Sequence, residues 1–143
     1  MSSRSILRQL PMRLATGAFM LNSGFGKLDA DKDKAQQLHG FAAATYPVIG
    51  KLDAQQFAKL LACGEIAAGT ALLIPAVPAM VAGLGLSVFA GGLLGLYLKT
   101  PGMRKEGSIF PTEQGVSLAK DVWLLGIGVS LVIDDLTERG EHR

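Results

Sequence analysis

Apolar positions gather along this chain into four long runs, separated by polar stretches that hold most of the charge. The clearest run, residues 66–98, contains no charged side chain and is interrupted only by Pro75-Ala-Val-Pro78. A hydrocarbon layer about 30 Å thick takes about 20 helical residues to cross. This run is therefore too long for one crossing and suits two, joined by a tight prolyl turn. The pattern predicts an all-α membrane protein. Its architecture would be a four-transmembrane-helix bundle with spans at about 6–25, 57–74, 79–98 and 116–133, in a single domain over residues 1–143.

The spans differ in polarity. The first carries Arg8, Arg13 and Asn22. The second is opened by Asp53-Ala-Gln-Gln, a sequence in which Asp53 caps the helix and Gln56 reaches back to it; it also holds Lys59 and Glu65. The third has no charge. The fourth has Lys120 and Asp121 in its first turns and Asp134-Asp135 at its close. Between the first two spans, residues 33–45 place Leu38, Phe41 and Ala42 on one helical face and Lys34, Gln37 and His39 away from it. That pattern predicts an amphipathic interfacial segment, ended by Tyr46-Pro47. Residues 99–115, with Pro101-Gly102 and Pro111-Thr112, read as an ordered loop.

Small residues recur at a spacing that lets helix backbones approach. Gly83, Ser87, Gly91 and Gly95 form one stripe in the third span; Gly17 and Gly24 repeat it loosely in the first, and Gly126 with Ser130 in the fourth. Packing inside one bundle is the simpler reading, and a homo-oligomer interface is its competitor.

Composition narrows the chemistry. The chain has 143 residues, 49% apolar and 18% charged, which leaves room for about four spans and no separate soluble domain. Its formal charge of +2, without a basic run, argues against nucleic acid as a partner. Residues 1–5 lead into a span with no convincing small-residue cleavage pattern, so no secretory signal is expected. Cys63 is the single cysteine, which excludes an intrachain disulfide, a CxxC pair and a thiolate metal site. His39 falls in a polar stretch and His142 near the end, so a haem held by two histidines inside the spans is not expected. No metal and no intrinsic cofactor are expected; redox chemistry would need a bound small molecule or a partner protein. Cys63 reads as a small buried hydrophobe. Trp123, Tyr46 and Tyr97 read as interfacial anchors.

Orientation is set by competing counts. With both termini on one side, that side holds Arg4, Arg8, Arg13, Arg139 and Arg143, and the loop side holds nine Lys and Arg residues. The raw count favours cytoplasmic loops. The short N-terminal tail, with Arg4 and Arg8 before a first span that usually dominates, favours cytoplasmic termini, and that orientation is adopted here.

Four charges fall at similar depth near the loop-side mouth: Lys27, Glu65, Lys120 and Asp121. Glu65 lies about 12 Å inside its span at the helical rise per residue. An isolated ion in hydrocarbon costs at least about 2.5–3.5 kcal/mol, so such groups pair or face a hydrated cavity. The cluster is either an ion-pair lock that sets helix register or a ligand-binding pocket in which Glu65 is the catalytic candidate. Arg13, nearer the termini, is expected to reach the interface or contact a lipid phosphate.

Arg13-Leu-Ala-Thr-Gly17 leading into Ser23-Gly-Phe-Gly-Lys-Leu28, then Gly64-Glu65 followed by Gly69, and Lys120-Asp121 followed by Gly126, resemble the DoxX family of small four-helix integral membrane proteins. The resemblance covers essentially the whole chain. It implies a multi-pass protein of the bacterial inner (plasma) membrane, associated with thiosulfate:quinone oxidoreductase subunits and with complexes that link thiol metabolism to oxidative-stress defence. The family's polar positions map onto Arg13, Lys27, Glu65, Lys120 and Asp121. The absence of a cysteine pair and of haem or metal ligands departs from a self-sufficient enzyme.

The leading expectation is an accessory or anchoring subunit of a redox-linked membrane complex, with membrane lipid and protein partners. The alternative is an oxidoreductase subunit that reduces a quinone held by the Glu65 cluster, with thiosulfate or another thiol compound as donor. A small proton-coupled transporter is a third reading, weakened because nearby lysines would neutralise Glu65.

Overall fold

The computed structural model describes residues 3–29, 31–113 and 115–143, and among them the chain is helical with no β-strand. Six α-helices follow in order: α1 (Ser3–Leu28), α2 (Lys32–Thr45), α3 (Ala54–Leu73), α4 (Ala79–Lys99), α5 (Val116–Ala119) and α6 (Asp121–Glu141). A 3₁₀ turn, Pro47–Lys51, joins α2 to α3. The predicted elements are therefore present with shifted ends. Helices α1 and α6 outrun the apolar stretches because their terminal turns are polar but remain good helix formers.

By length and apolar character, α3 and α4 are each able to cross a membrane. Helices α1 and α6 are as long, at 26 and 21 residues, but Arg8, Arg13 and Lys27 in one and Asp121, Asp134 and Asp135 in the other dilute their hydropathy. Composition thus singles out two of the four expected spans.

Helix α1 packs along α3, and α4 along α6, with sparser contact between the two pairs. Glycine sets the closeness of both pairings. A Cβ at Gly17 would meet Gly69 O at 3.0 Å, and one at Gly69 would meet Gly17 O at 2.9 Å. In the other pair a Cβ at Gly83 would lie 2.6 Å from Gly128 O. The stripe in the third span is therefore used unevenly. Gly83 and Ser87 receive α6, Gly95 makes room for the Tyr46 hydroxyl, and Gly91 faces open space. On α6 the close approach is made by Gly128, while Gly126 faces open space. The expectation had chosen the wrong glycine of two that lie two residues apart, on opposite faces of one helix.

The apolar core joins Met20, Leu72, Ala79, Ala82, Leu86 and Leu131, drawing on all four long helices. The exterior is apolar as well. Leu7, Phe19 and Phe25 of α1 and Val122, Ile133 and Leu136 of α6 are exposed, while Ser5, Gln9, Arg13, Thr16 and Asp135 are buried. On α1 several polar residues thus face inward and several large apolar ones outward, while Met20 joins the core and Arg4, Arg8 and Asn22 are exposed.

Polar contacts close the end of the bundle that carries the termini. Arg8 Nε donates to Asp134 Oδ1 at 2.9 Å, and Gln9 Nε2 donates to Asp134 Oδ2. Asp135 accepts the Met80 N–H at 2.8 Å, supplying α4 with the N-terminal acceptor that Pro78, at the cap position, lacks. Asp53, by contrast, occupies the cap position of α3 without a side-chain hydrogen bond to it, its backbone carbonyl alone accepting the Phe57 N–H at 2.9 Å, so the expected capping box is not made.

Arg13 is the principal correction to the sequence reading. It does not reach an interface; it is 4% exposed, and its guanidinium caps the end of α3 and the following turn. Nε donates to Leu72 O at 2.8 Å, and NH2 donates to Ala71 O, Ile74 O and Val77 O at 2.9–3.0 Å. The last carbonyls of a helix have no partner within it, and five fixed donors in one plane suit them better than a distant phosphate.

Candidate functional site

At the opposite end of the bundle the two helix pairs leave a cavity of about 810 Å³. Its wall draws on α1, α2, α3, α4, the following loop, α5 and α6, with Met20 of the core among its lining residues. Four of the six phenylalanines, Phe19, Phe41, Phe57 and Phe89, line it, and of these Phe19 and Phe41 are exposed at its rim. The amphipathic helix α2 forms one side. Leu38, Phe41 and Ala42 line the cavity as the pattern predicts, and Gln37, expected to face away, joins them.

Helix α2 is held in place by three polar features. Asp31 caps it, accepting the Lys34 N–H at 2.8 Å. Tyr46 at its end donates to Gly92 O of α4 at 2.8 Å. His39 is neither in a loop nor fully solvated: it lies within α2, half-buried, with Nε2 3.0 Å from Ile49 O and its ring edge-on to Phe57.

The polar end of the cavity is built by three helices. Lys27, in the last turn of α1, places Nζ 2.7 Å from Glu65 Oε1 of α3. The same ammonium donates to Ser23 Oγ, one turn back, at 2.7 Å. Glu65 has a side chain only 4% exposed, and its second oxygen, Oε2, is buried without a hydrogen-bond partner among the described residues. Asp121, at the start of α6, lines the same cavity and lies within electrostatic reach of both Glu65 and Lys27.

Of the four clustered charges, three meet: Lys27, Glu65 and Asp121. Lys120 does not. It is exposed, makes no ion pair among the described residues, and is absent from the cavity wall. The reason is helical periodicity: Leu118, Asp121 and Leu124 recur at three-residue spacing on the cavity side, and Lys120, in helical conformation, falls about 100° off that face. The fourth apolar run is not one continuous helix; α5 ends at Ala119, Lys120 forms the junction, and α6 begins at Asp121. Adjacent residues there point to different sides, inward for Asp121 and outward for Lys120.

Ser23 and the phenylalanine lining had not been singled out from the sequence. A signal for Ser23 existed, since residues four apart share a helix face and Lys27 follows it by four. Cys63 also departs from expectation: it is exposed on the outer side of α3 and takes no part in the cavity.

Chemically, the site offers one donor already engaged twice, one buried acceptor with a free oxygen, a second carboxylate nearby and an aromatic wall. Among the described residues no group of three or more His, Cys, Asp or Glu is arranged to hold a metal ion. Ligand cavities are typically about 300–1,000 Å³, mostly apolar, with a few convergent polar groups, and this one has that make-up. Comparison with protein-family models, with curated proteins and with solved structures gives no match.

Proposed function

We propose that this chain is a multi-pass protein of the bacterial plasma membrane that serves as a subunit of a redox-linked complex and holds a quinone-type head group in the Lys27–Glu65 cavity. The single observation that carries the reading is the half-satisfied carboxylate: Glu65 lines a phenylalanine-walled cavity, one of its oxygens is paired with Lys27, and the other is buried without a donor among the described residues. A lock would be expected to satisfy both oxygens, because an unpaired buried acceptor costs about 1–3 kcal/mol.

The membrane setting is supported by the inverted faces of α1 and α6. In water a fold buries apolar side chains, and large exposed apolar surfaces mark a contact with lipid or protein. Here Leu7, Phe19, Phe25, Ile133 and Leu136 point outward while Gln9, Arg13 and Asp135 are inside. On this reading all four long helices cross the bilayer. The termini lie in the cytoplasm, following the charges of the short N-terminal tail.

The cavity residues fit a quinone head group. Its carbonyls would be met by the Lys27 ammonium, its ring by Phe57 and Phe89, and its apolar tail by the rim at Phe19 and Phe41. When bound, such a group carries electrons and protons between membrane redox partners. This chain's part is to orient the ring, exclude water and offer a hydrogen-bond acceptor at Glu65. With a single cysteine and no paired redox side chains in the sequence, electrons would come from a partner subunit.

Purification of the full chain from its own membrane in mild detergent, with co-purifying proteins and extracted small molecules identified together, tests this. Stoichiometric redox proteins and a bound quinone are the expected result. A lone chain carrying neither would overturn it.

A further inference from the structure

The orphaned oxygen of Glu65 says more than that a ligand binds; it says which form of ligand fits. Carboxylate oxygens accept hydrogen bonds and cannot donate them while ionised. Oε2 is buried, belongs to a residue that lines the cavity, and has no donor among the described residues. The Lys27 ammonium is already committed to Glu65 Oε1 and Ser23 Oγ, each at 2.7 Å. Two of its three N–H donors are thus engaged and none reaches Oε2, so what that oxygen lacks is a donor. A second acceptor there can take the third Lys27 N–H, but it leaves Oε2 unsatisfied, with the Asp121 carboxylate beyond it.

We infer that the cavity selects the hydroxyl-bearing form of its aromatic ligand, a benzene diol whose O–H donates to Glu65 Oε2, over the corresponding dione. This rests on the ligand reading above and specifies it. The dione has only acceptor oxygens, so even with one carbonyl on the Lys27 ammonium it leaves Oε2 unsatisfied. The diol supplies the missing donor, and the phenylalanine wall accommodates its ring. A lipophilic ammonium also donates, but it would stand one carboxylate width from the Lys27 ammonium, and like charges at that range repel. A neutral hydroxyl meets the acceptor without that penalty.

A hydrogen bond to a charged acceptor contributes about 1.5–3 kcal/mol, which sets the diol's advantage at about tenfold or more. Equilibrium dialysis of the detergent-solubilised full chain, under anaerobic conditions, measures it with tetramethylbenzene-1,4-diol, the matching dione and dodecylammonium as probes. The diol should bind at least about tenfold tighter than the dione and tighter than the ammonium. In Glu65→Gln the amide can turn an N–H toward the ligand, so the preference should vanish or reverse. Asp121→Asn keeps the Lys27–Glu65 pair and should only reduce the ratio.

Equal binding of diol and dione to the unaltered chain would overturn this inference and leave the proposed ligand site standing. Tighter binding of the ammonium would also overturn it. Failure of all three probes to bind would remove both. The comparison on the unaltered chain decides the matter even if Glu65→Gln does not fold.

Discussion

Lys27 and Glu65 form an ion pair in which only one carboxylate oxygen takes part: Nζ lies 2.7 Å from Oε1, while Oε2 meets no donor. The pair joins the end of α1 to the middle of α3 at the polar end of a cavity rimmed by α2. It is both a fastening and an opening, and the two roles are separable by mutation.

Removing one partner of a buried ion pair strands the other charge and typically costs about 3–5 kcal/mol, whereas replacing both with apolar side chains is often neutral. Lys27→Met should therefore lower the thermal midpoint in detergent sharply, and adding Glu65→Leu should restore most of it. A double variant no better than the single one would show that the pair stabilises through more than charge compensation.

Arg13 is the most sensitive position for folding. Its guanidinium holds four backbone carbonyls at the helix end and prolyl turn, of which Ile74 O also accepts the Val77 N–H at 3.1 Å. Bonds from charged donors contribute about 1.5–3 kcal/mol each, and their loss is not additive. Arg13→Met should destabilise by at least about 3 kcal/mol. Arg13→Lys should recover little, because one ammonium does not reproduce a planar fork. Near-native melting of Arg13→Lys would contradict this assignment.

The glycines separate in a way that alanine substitution can read. At Gly83 a Cβ would press on Gly128 O at 2.6 Å, and at Gly128 it would press on Ser87 Oγ at 2.5 Å. Overpacking of this kind costs about 1–3 kcal/mol. Gly126→Ala and Gly91→Ala meet open space and should be neutral or stabilising by up to about 1 kcal/mol, from helix propensity alone. Chemical denaturation of the four variants gives the order directly.

Acid should weaken the terminal end of the bundle through Asp135. The Arg139 hydrogen bond, first, and the Met80 N–H hold its carboxyl below the usual carboxylate range, against the opposing effect of burial. Because the folded value is depressed, the unfolded chain takes up the proton first. The contribution is then complete above the unfolded value of about 4 and is lost as pH falls through the folded one. Melting followed from pH 6 downward should show this loss in the unaltered chain and a shallower one in Asp135→Asn. Equal slopes would exclude Asp135 as the source.

Much of the fold was legible because apolar run length and proline position report directly on helix extent. The turn at Pro75–Pro78 and the amphipathic α2 fall where the pattern places them. Side-chain destinations were less accessible. The guanidinium of Arg13 looks the same in sequence whether it caps a helix or meets a phosphate; only the fold brings Leu72 and Val77 to it. The division between Lys120 and Asp121 turns on which face of that run meets the cavity, the one shared by Leu118, Asp121 and Leu124, and this hydropathy does not register. Lys27 and Glu65 were identified by their depth, since two opposite charges at one level in apolar runs have few alternatives to each other.

The Arg13 clasp also bears on the order of biosynthesis. The carbonyls it holds are synthesised 58 to 64 residues after it. During that interval the emerging first helix carries a cation whose partners do not yet exist. Chains halted before Ala71 should therefore leave Arg13 open to aqueous labelling, and chains released beyond Val77 should protect it; labelling that is unchanged between the two would refute the sequence of events. On these grounds α1 settles only once α3 and the turn after it have been made.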